Sequence, residues 1–172
     1  MSNVLMTIFF TVLLIAVLTI FCALLAFIAP GLSTTLMTEK AREAAQIPDP
    51  DKRQKIRGYT LYVLAGIMFV AVLIWAGIDG VHSGITWWRL WLRFFIMFLA
   101  VELYDDIFLD WFIFTKTGFF GYWVRKITGR ELSDKNTEPQ WDGKEKRKLI
   151  AVPFGTLILA LIFIWLARQM VI

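Results

Sequence analysis

Cysteine and histidine are almost absent from this chain of 172 residues, which contains one of each, Cys22 and His82. A single cysteine cannot form a disulfide within one chain or a CxxC redox pair, and a single histidine cannot build a histidine-rich metal site. The sequence also lacks a GxSxG motif, a Walker-type phosphate loop and an N-x-S/T glycosylation sequon. Any catalysis would therefore depend on carboxylates, arginine and lysine.

Hydrophobic residues are abundant, at 58% of the chain, and they form four continuous runs at about 4–28, 59–78, 87–114 and 149–167. Each run approaches or exceeds the ~20 residues that a helix needs to cross a bilayer. The first run has neither the basic start nor the cleavage site of a secretory signal peptide, so we expect it to be retained. The pattern predicts an all-α polytopic membrane protein, with four transmembrane helices in a small bundle and a single membrane domain over 1–172.

The distribution of basic residues predicts the orientation of these spans. Lysine and arginine concentrate in two long loops, 31–58 and 115–148, whereas the short turn 79–86 and the N-terminal residues contain neither. By the positive-inside rule, both long loops should be cytoplasmic and both termini extracytoplasmic. Because topology alone accounts for the basic residues, we expect contact with the lipid bilayer and no binding to nucleic acid.

Two short segments of the cytoplasmic loops have local signals. Asp49 followed by Pro50 is predicted to be the N-cap and first position of the helix that enters the second span. The segment GFFGYWVRK, residues 118–126, alternates aromatic and basic side chains and is predicted to lie on the lipid surface. The basic clusters of both loops either anchor the chain or recognise anionic lipid headgroups.

The third span contains an acidic stretch, VELYDDIFLDW, at residues 101–111. An Asp at the centre of a membrane helix costs about 2.5 to 3.5 kcal/mol on insertion scales, so such residues are expected to face the bundle interior or a watery cavity. At roughly 100° per residue, three of the acids share one stripe of an α-helix and Asp105 lies off to the side of it. The acidic residues are Glu102, Asp105, Asp106 and Asp110.

A functional interpretation treats these four carboxylates as one polar site that binds a cation or exchanges protons. It is motivated by the other three predicted spans, which contain no charged residue between their ends. A divalent cation is the candidate cofactor, although no ligand set for a metal is defined. The candidate accessory residues of this site are Arg93, Trp111 and Lys116.

A structural interpretation explains the same acids without a ligand. Asp105, Asp106 and Asp110 would pair with long basic side chains that reach in from the cytoplasmic side. Arg89 and Arg93, beside a cluster of tryptophans, would then be interfacial anchors. The basic residues within reach by sequence position are Arg57, Lys116 and Lys148.

Three short motifs resemble an uncharacterised family of small four-helix membrane proteins from Gram-positive bacteria. They are RFF at 93–95, the D-x-x-x-x-D-W pattern that ends at Trp111, and ITGRE at 127–131 before the last apolar run. The resemblance covers mainly the C-terminal half and implies a bacterial plasma membrane and four spans, but no activity. In that family's pattern an amide is common at position 102 and an apolar residue at position 106, which favours Asp105 and Asp110 as the functional acids.

Three classes of function remain open from the sequence. The first is transport or channel activity at the third-span carboxylates, with a homodimer expected because four helices enclose only a narrow pore. The second is a membrane enzyme that acts on a lipid or isoprenoid substrate at the cytoplasmic leaflet. The third is a non-catalytic subunit that packs laterally against a membrane partner.

Overall fold

The computed structural model describes residues 3–33, 43, 46, 48–116, 119–129, 131 and 143–170. Within these ranges the chain is helical and has no β-strand, which confirms the all-α prediction. The helices are α1 (Asn3–Ile28), α2 (Pro30–Ser33), α3 (Lys52–His82), α4 (Trp87–Leu103), a π-helix that we call π1 (Tyr104–Lys116), α5 (Phe119–Thr128) and α6 (Gly143–Met170).

Two of these helices, α1 and α3, are long and apolar enough to cross a membrane. Helix α6 contains a shorter apolar stretch, Ala151–Ala167. Large apolar side chains are exposed along α1 and α3, as expected of helices that meet lipid rather than water.

Helix α3 begins two residues later than the Asp49-Pro50 pair predicted. Asp51 is the N-cap, because its Oδ1 accepts a hydrogen bond of 2.6 Å from the backbone N–H of Gln54 and its carbonyl accepts one from Lys55. The prediction was wrong because an Asp two positions further along the chain offers the same side-chain oxygen.

Helix α3 also ends later than predicted, at His82 instead of residue 78. Asp79, assigned from the sequence to an external turn, is therefore part of the helix. The connection to α4 is a tight turn in which Gly84 adopts a left-handed conformation, with φ of +63°. The N–H groups of Gly84 and Ile85 bond back to the carbonyls of Val81 and Gly80, at 3.0 and 3.2 Å. Helix α4 then starts at Trp87, as predicted.

The third predicted span is one continuous helical segment that changes geometry after Leu103. From Tyr104 to Lys116 the backbone is a π-helix, in which hydrogen bonds join residues five apart. Such helices are rare and usually last a single turn, often at functional sites. Here the π-helix contains three of the four acids that the sequence singles out.

The chain folds into two compact units. Helices α1 and α3 are each divided between them, with one part of the helix in the first unit and the other part in the second. The first unit comprises Met1–Val17, Ile67–Leu103 and Trp141–Ile172. In it α4 packs along α6, where the rings of Phe94 and Phe163 lie 5.7 Å apart and the indole of Trp91 donates a hydrogen bond to the carbonyl of Pro153. Its fully buried side chains include Phe10, Leu14, Leu90, Phe94 and Met97.

The second unit comprises Leu18–Gly66 and Tyr104–Gln140. Its core forms where the end of α1 and the short helix α2 meet the first half of α3, with Leu25, Ala29 and Leu32 buried beside Leu61. Helix α5 packs against π1 in the same unit. This unit therefore holds both the acidic π-helix and the aromatic-basic helix that follows it.

Candidate functional site

A buried ion pair joins α3 to α4 in the first unit. The Arg93 guanidinium donates a hydrogen bond from Nη1 to Oδ2 of Asp79 at 2.7 Å, and the same nitrogen donates to the carbonyl of Ala76 at 3.0 Å. The side chain of Arg93 is 2% exposed and that of Asp79 is 21% exposed. The pair is thus largely removed from solvent, where each charge depends strongly on the other.

The surroundings of this arginine are mostly apolar. Its Cζ lies 5.9 Å from the centre of the Phe10 ring, in the range of a cation–π contact. The second terminal nitrogen, Nη2, is buried and has no hydrogen-bond partner among the residues that the structure describes. A buried donor without an acceptor is costly, so the burial of Arg93 carries an energetic penalty.

The interpretation of Arg93 as an interfacial anchor is therefore corrected. An anchor presents its charged end to headgroups and water, whereas the Arg93 guanidinium is enclosed. Arg89, one turn earlier, is exposed and lies over the Trp88 ring at 5.2 Å, as an anchor would. The Asp79–Arg93 pair was not predicted from the sequence, because Asp79 had been assigned to the turn between two predicted spans.

The acidic segment spans the boundary between the two units. Glu102 is half-buried near the end of α4 in the first unit, whereas Asp105 and Asp106 are half-buried at the start of π1 in the second. Each of these three residues has an interaction partner within the protein. The proposal that Glu102 shares a site with the other acids stays a prediction.

The π-helical geometry changes which acids face the same way. A π-helix holds about 4.4 residues per turn, compared with 3.6 in an α-helix, so each residue advances by roughly 80° instead of 100°. Positions 105 and 110 are roughly 140° apart on an α-helix but only about 50° apart on a π-helix. The predicted stripe that left Asp105 to one side was wrong beyond Leu103, because it assumed α-helical geometry throughout.

Three predicted site residues have backbone positions on π1 but side chains outside the described residues. These are Asp110, Trp111 and Lys116. On the backbone register, position 110 falls between positions 105 and 106, so all three acid positions lie within about 80° of one another. The sequence-based emphasis on Asp105 and Asp110 is consistent with this register.

A hydroxyl pair lies next to the acids in the chain. Thr19 Oγ1 of α1 and Tyr104 Oη of π1 are 2.8 Å apart and part-buried, and either atom can be the donor. Tyr104 immediately precedes Asp105, so this bond ties α1 to the first residue of the π-helix. No motif in the sequence singled out Tyr104.

Two structural features bear on the chemistry that the chain could perform. Among the described side chains, which do not include that of Asp110, no group of three His, Cys, Asp or Glu lies close enough together to hold a metal ion. The first unit has an apolar cavity of about 590 Å³ between α3 and α6, and His82 is the one polar residue among its described lining. Such a cavity suits a hydrocarbon chain and offers no carboxylate to a substrate.

Comparisons with known proteins give no further guide to the chemistry. No family model matches this chain, and neither a curated protein nor a solved structure is significantly similar to it. The resemblance to a Gram-positive family inferred from three short motifs stays a prediction.

Proposed function

We propose that this chain is a multi-pass protein of a bacterial plasma membrane with four spans. Helices α1 and α3, which are long and apolar enough to cross a membrane, would form the first and second spans. The continuous segment formed by α4 and π1 would form the third, and α6, which contains Ala151–Ala167, the fourth. The long basic loops would then be cytoplasmic and both termini extracytoplasmic, as the positive-inside rule requires.

Within that membrane domain, we propose that the acidic half of the third span binds a cation or exchanges protons in a transport role. The observation that carries the proposal is the π-helix, which brings the positions of Asp105, Asp106 and Asp110 to one side of the helix. Carboxylates at membrane depth are costly and by default indicate a functional site. Asp105 and Asp106 are half-buried, so they are neither sealed in the core nor fully exposed.

A hydrogen bond to α1 supports the start of the π-helix. A π-helix is rare and seldom persists for more than one turn, so a long one needs compensation from its surroundings. The Thr19–Tyr104 hydroxyl bond at its first residue is one such compensation. Hydroxyl groups both donate and accept, so they can relay a proton to or from a neighbouring carboxylate.

The test is ion flux into sealed vesicles that contain the purified protein. Proteoliposomes are loaded with a pH-sensitive dye, and proton entry is measured under an imposed potential, with sodium, potassium or ammonium present in separate arms. We expect a flux above protein-free vesicles that falls at least tenfold in Asp105→Asn and in Asp106→Asn. The matched control is Asp49→Asn, an exposed acid outside the third span, which should leave the flux unchanged.

The outcomes separate the three function classes. No flux of any tested ion, with properly folded protein in the vesicles, would overturn the transport proposal. Turnover of an added lipid or isoprenoid substrate that depends on the same acids would instead support a membrane enzyme. Activity restored only by a co-purified membrane protein would support a non-catalytic subunit.

Topology is tested separately by cysteine labelling of intact cells in a Cys22→Ala background. Ser83 lies in the exposed turn between α3 and α4, and Lys55 is exposed near the start of α3. We expect a cysteine at position 83 to react with a membrane-impermeant reagent and one at position 55 to be protected until the cells are opened. The reverse pattern would show that the proposed orientation is inverted.

A further inference from the structure

Helix α5 has one face buried and one exposed face of unusual composition. Trp123 and Val124 are buried, at 5% and 0% exposure. The exposed positions recur at the three- and four-residue spacing of an α-helix. They are Tyr122, Arg125 and Lys126.

The contacts of α5 relate it to the end of an apolar span. Trp123 packs edge-on against Phe27 of α1, with ring centres 6.2 Å apart, and α1 ends one residue later, at Ile28. If α1 crosses the membrane, this contact puts α5 at the level where the hydrocarbon gives way to headgroups. Aromatic side chains concentrate at that level.

The basic residues of the exposed face are held in a defined arrangement. Lys126 Nζ lies 4.8 Å from the centre of the Trp123 ring and 5.9 Å from that of Tyr122. Two aromatic faces therefore fix the ammonium group on one side and leave donors for an acceptor on the other. Arg125 Nη1 lies 3.6 Å from Glu131 Oε1, and both side chains are more than two-thirds exposed. An ion pair this exposed is weak, so the Arg125 guanidinium remains available to another acceptor.

We propose that the exposed face of α5, formed by Tyr122, Arg125 and Lys126, binds the phosphate headgroup of an anionic phospholipid. An ammonium, a guanidinium and a phenol hydroxyl on one helix face match the charge and the several acceptor oxygens of a phosphate. The neighbouring aromatic rings suit the glycerol and upper acyl region of the same lipid. The inference rests on the proposed membrane location, but not on ion transport at the acidic segment.

The test measures lipid binding to the full-length protein in detergent by native mass spectrometry. Phosphatidylglycerol and phosphatidylcholine are titrated in parallel, and inorganic phosphate is a third arm. A charge-assisted hydrogen bond to a phosphate oxygen contributes about fivefold or more in affinity, so removing two basic donors should weaken binding roughly 30-fold. We therefore expect the double variant Arg125→Gln/Lys126→Gln to lose about 30-fold in affinity for phosphatidylglycerol and little for phosphatidylcholine.

The matched control is the double variant Arg53→Gln/Lys55→Gln, which removes the same charge from exposed positions at the start of α3. It should bind phosphatidylglycerol like the original protein. An equal loss in both double variants would overturn the proposal in favour of diffuse electrostatic attraction. Tighter binding of inorganic phosphate than of phosphatidylglycerol at the same site, or the same affinity for both lipids in the original protein, would also overturn it.

A further measurement distinguishes this failure from failure of the proposed function. Resistance of the protein to extraction from membranes by alkaline carbonate reports on membrane insertion. A resistant protein without a phosphatidylglycerol preference loses only the α5 proposal, whereas an extractable protein loses the membrane assignment and the α5 proposal with it.

Discussion

Arg93 Nη1 and Asp79 Oδ2 lie 2.7 Å apart across the helical hairpin formed by α3 and α4. Asp79 lies in α3 shortly before the turn between these helices, and Arg93 lies in α4 shortly after it. Because side chains on an α-helix tilt toward its N-terminus, the long Arg93 side chain extends back toward the turn and reaches Asp79. The ion pair therefore joins the two helices as well as neutralising two charges.

Removing either member of this pair should destabilise the protein. Arg93→Met leaves Asp79 without its counterion, and Asp79→Asn leaves a guanidinium buried without one. We expect each to lower the free energy of unfolding by about 3 kcal/mol, the usual order for breaking a buried pair. Unfolding in mixed micelles by increasing fractions of a denaturing detergent measures the change.

The control for that measurement is Arg89→Met, which removes the same charge from an exposed position one turn earlier. It should change stability little. The double variant Asp79→Asn/Arg93→Met should lose less than the sum of the single variants, because neither charge is then left alone. Additive losses would contradict a direct interaction.

The ion pair also predicts how the proposed third span would enter a membrane. A segment of residues 87–114 alone carries Arg93 and several acids, each of which costs about 2.5 to 3.5 kcal/mol near the centre of a span. A segment of residues 52–114 also contains Asp79 and allows the hairpin to form. We expect the longer segment to insert its third span more efficiently in a translocation assay, and Asp79→Asn to reduce that gain. Equal insertion of both segments would contradict coupled entry.

Two of the four glycines of helix α3, Gly66 and Gly77, differ in their surroundings. A Cβ on Gly77 would come within 2.5 Å of the Phe163 ring of α6, whereas one on Gly66 would meet nothing within 4 Å. We expect Gly77→Ala to cost about 1 to 3 kcal/mol by forcing the two helices apart. Gly66→Ala should be neutral or slightly stabilising, because alanine favours the helix. Similar melting temperatures for both variants in detergent would argue against this close approach.

The hydroxyl bond between Thr19 and Tyr104 should stabilise the start of the π-helix. Tyr104→Phe and Thr19→Val each remove one partner of a part-buried bond, so each should cost about 1 kcal/mol. Thr60→Val is a suitable control, because the Thr60 hydroxyl bonds only within its own helix at an exposed site. A double variant that loses the full sum of both effects would show that the two hydroxyls do not interact.

The residue pattern alone was sufficient for the helical class and for several helix positions. Continuous apolar runs identify helices because a helix satisfies its own backbone hydrogen bonds, whatever lies around it. The start of α4 at Trp87 was predicted from the position where the third apolar run begins. The alternating aromatic and basic residues at 118–126 predicted a segment on the lipid surface but not the helix α5, and that location stays a prediction.

Two features of the protein were visible only in the tertiary structure, because no local residue pattern contains them. The pairing of Asp79 with Arg93 depends on α3 continuing to His82 and on two helices lying side by side. The change from α- to π-helix after Leu103 was not predicted from the residue pattern, and it alters the angles between the acid positions around the helix axis. Sequence gives the order of these charges along the chain, whereas their neighbours in space depend on helix length, helical pitch and packing, which are set by the fold.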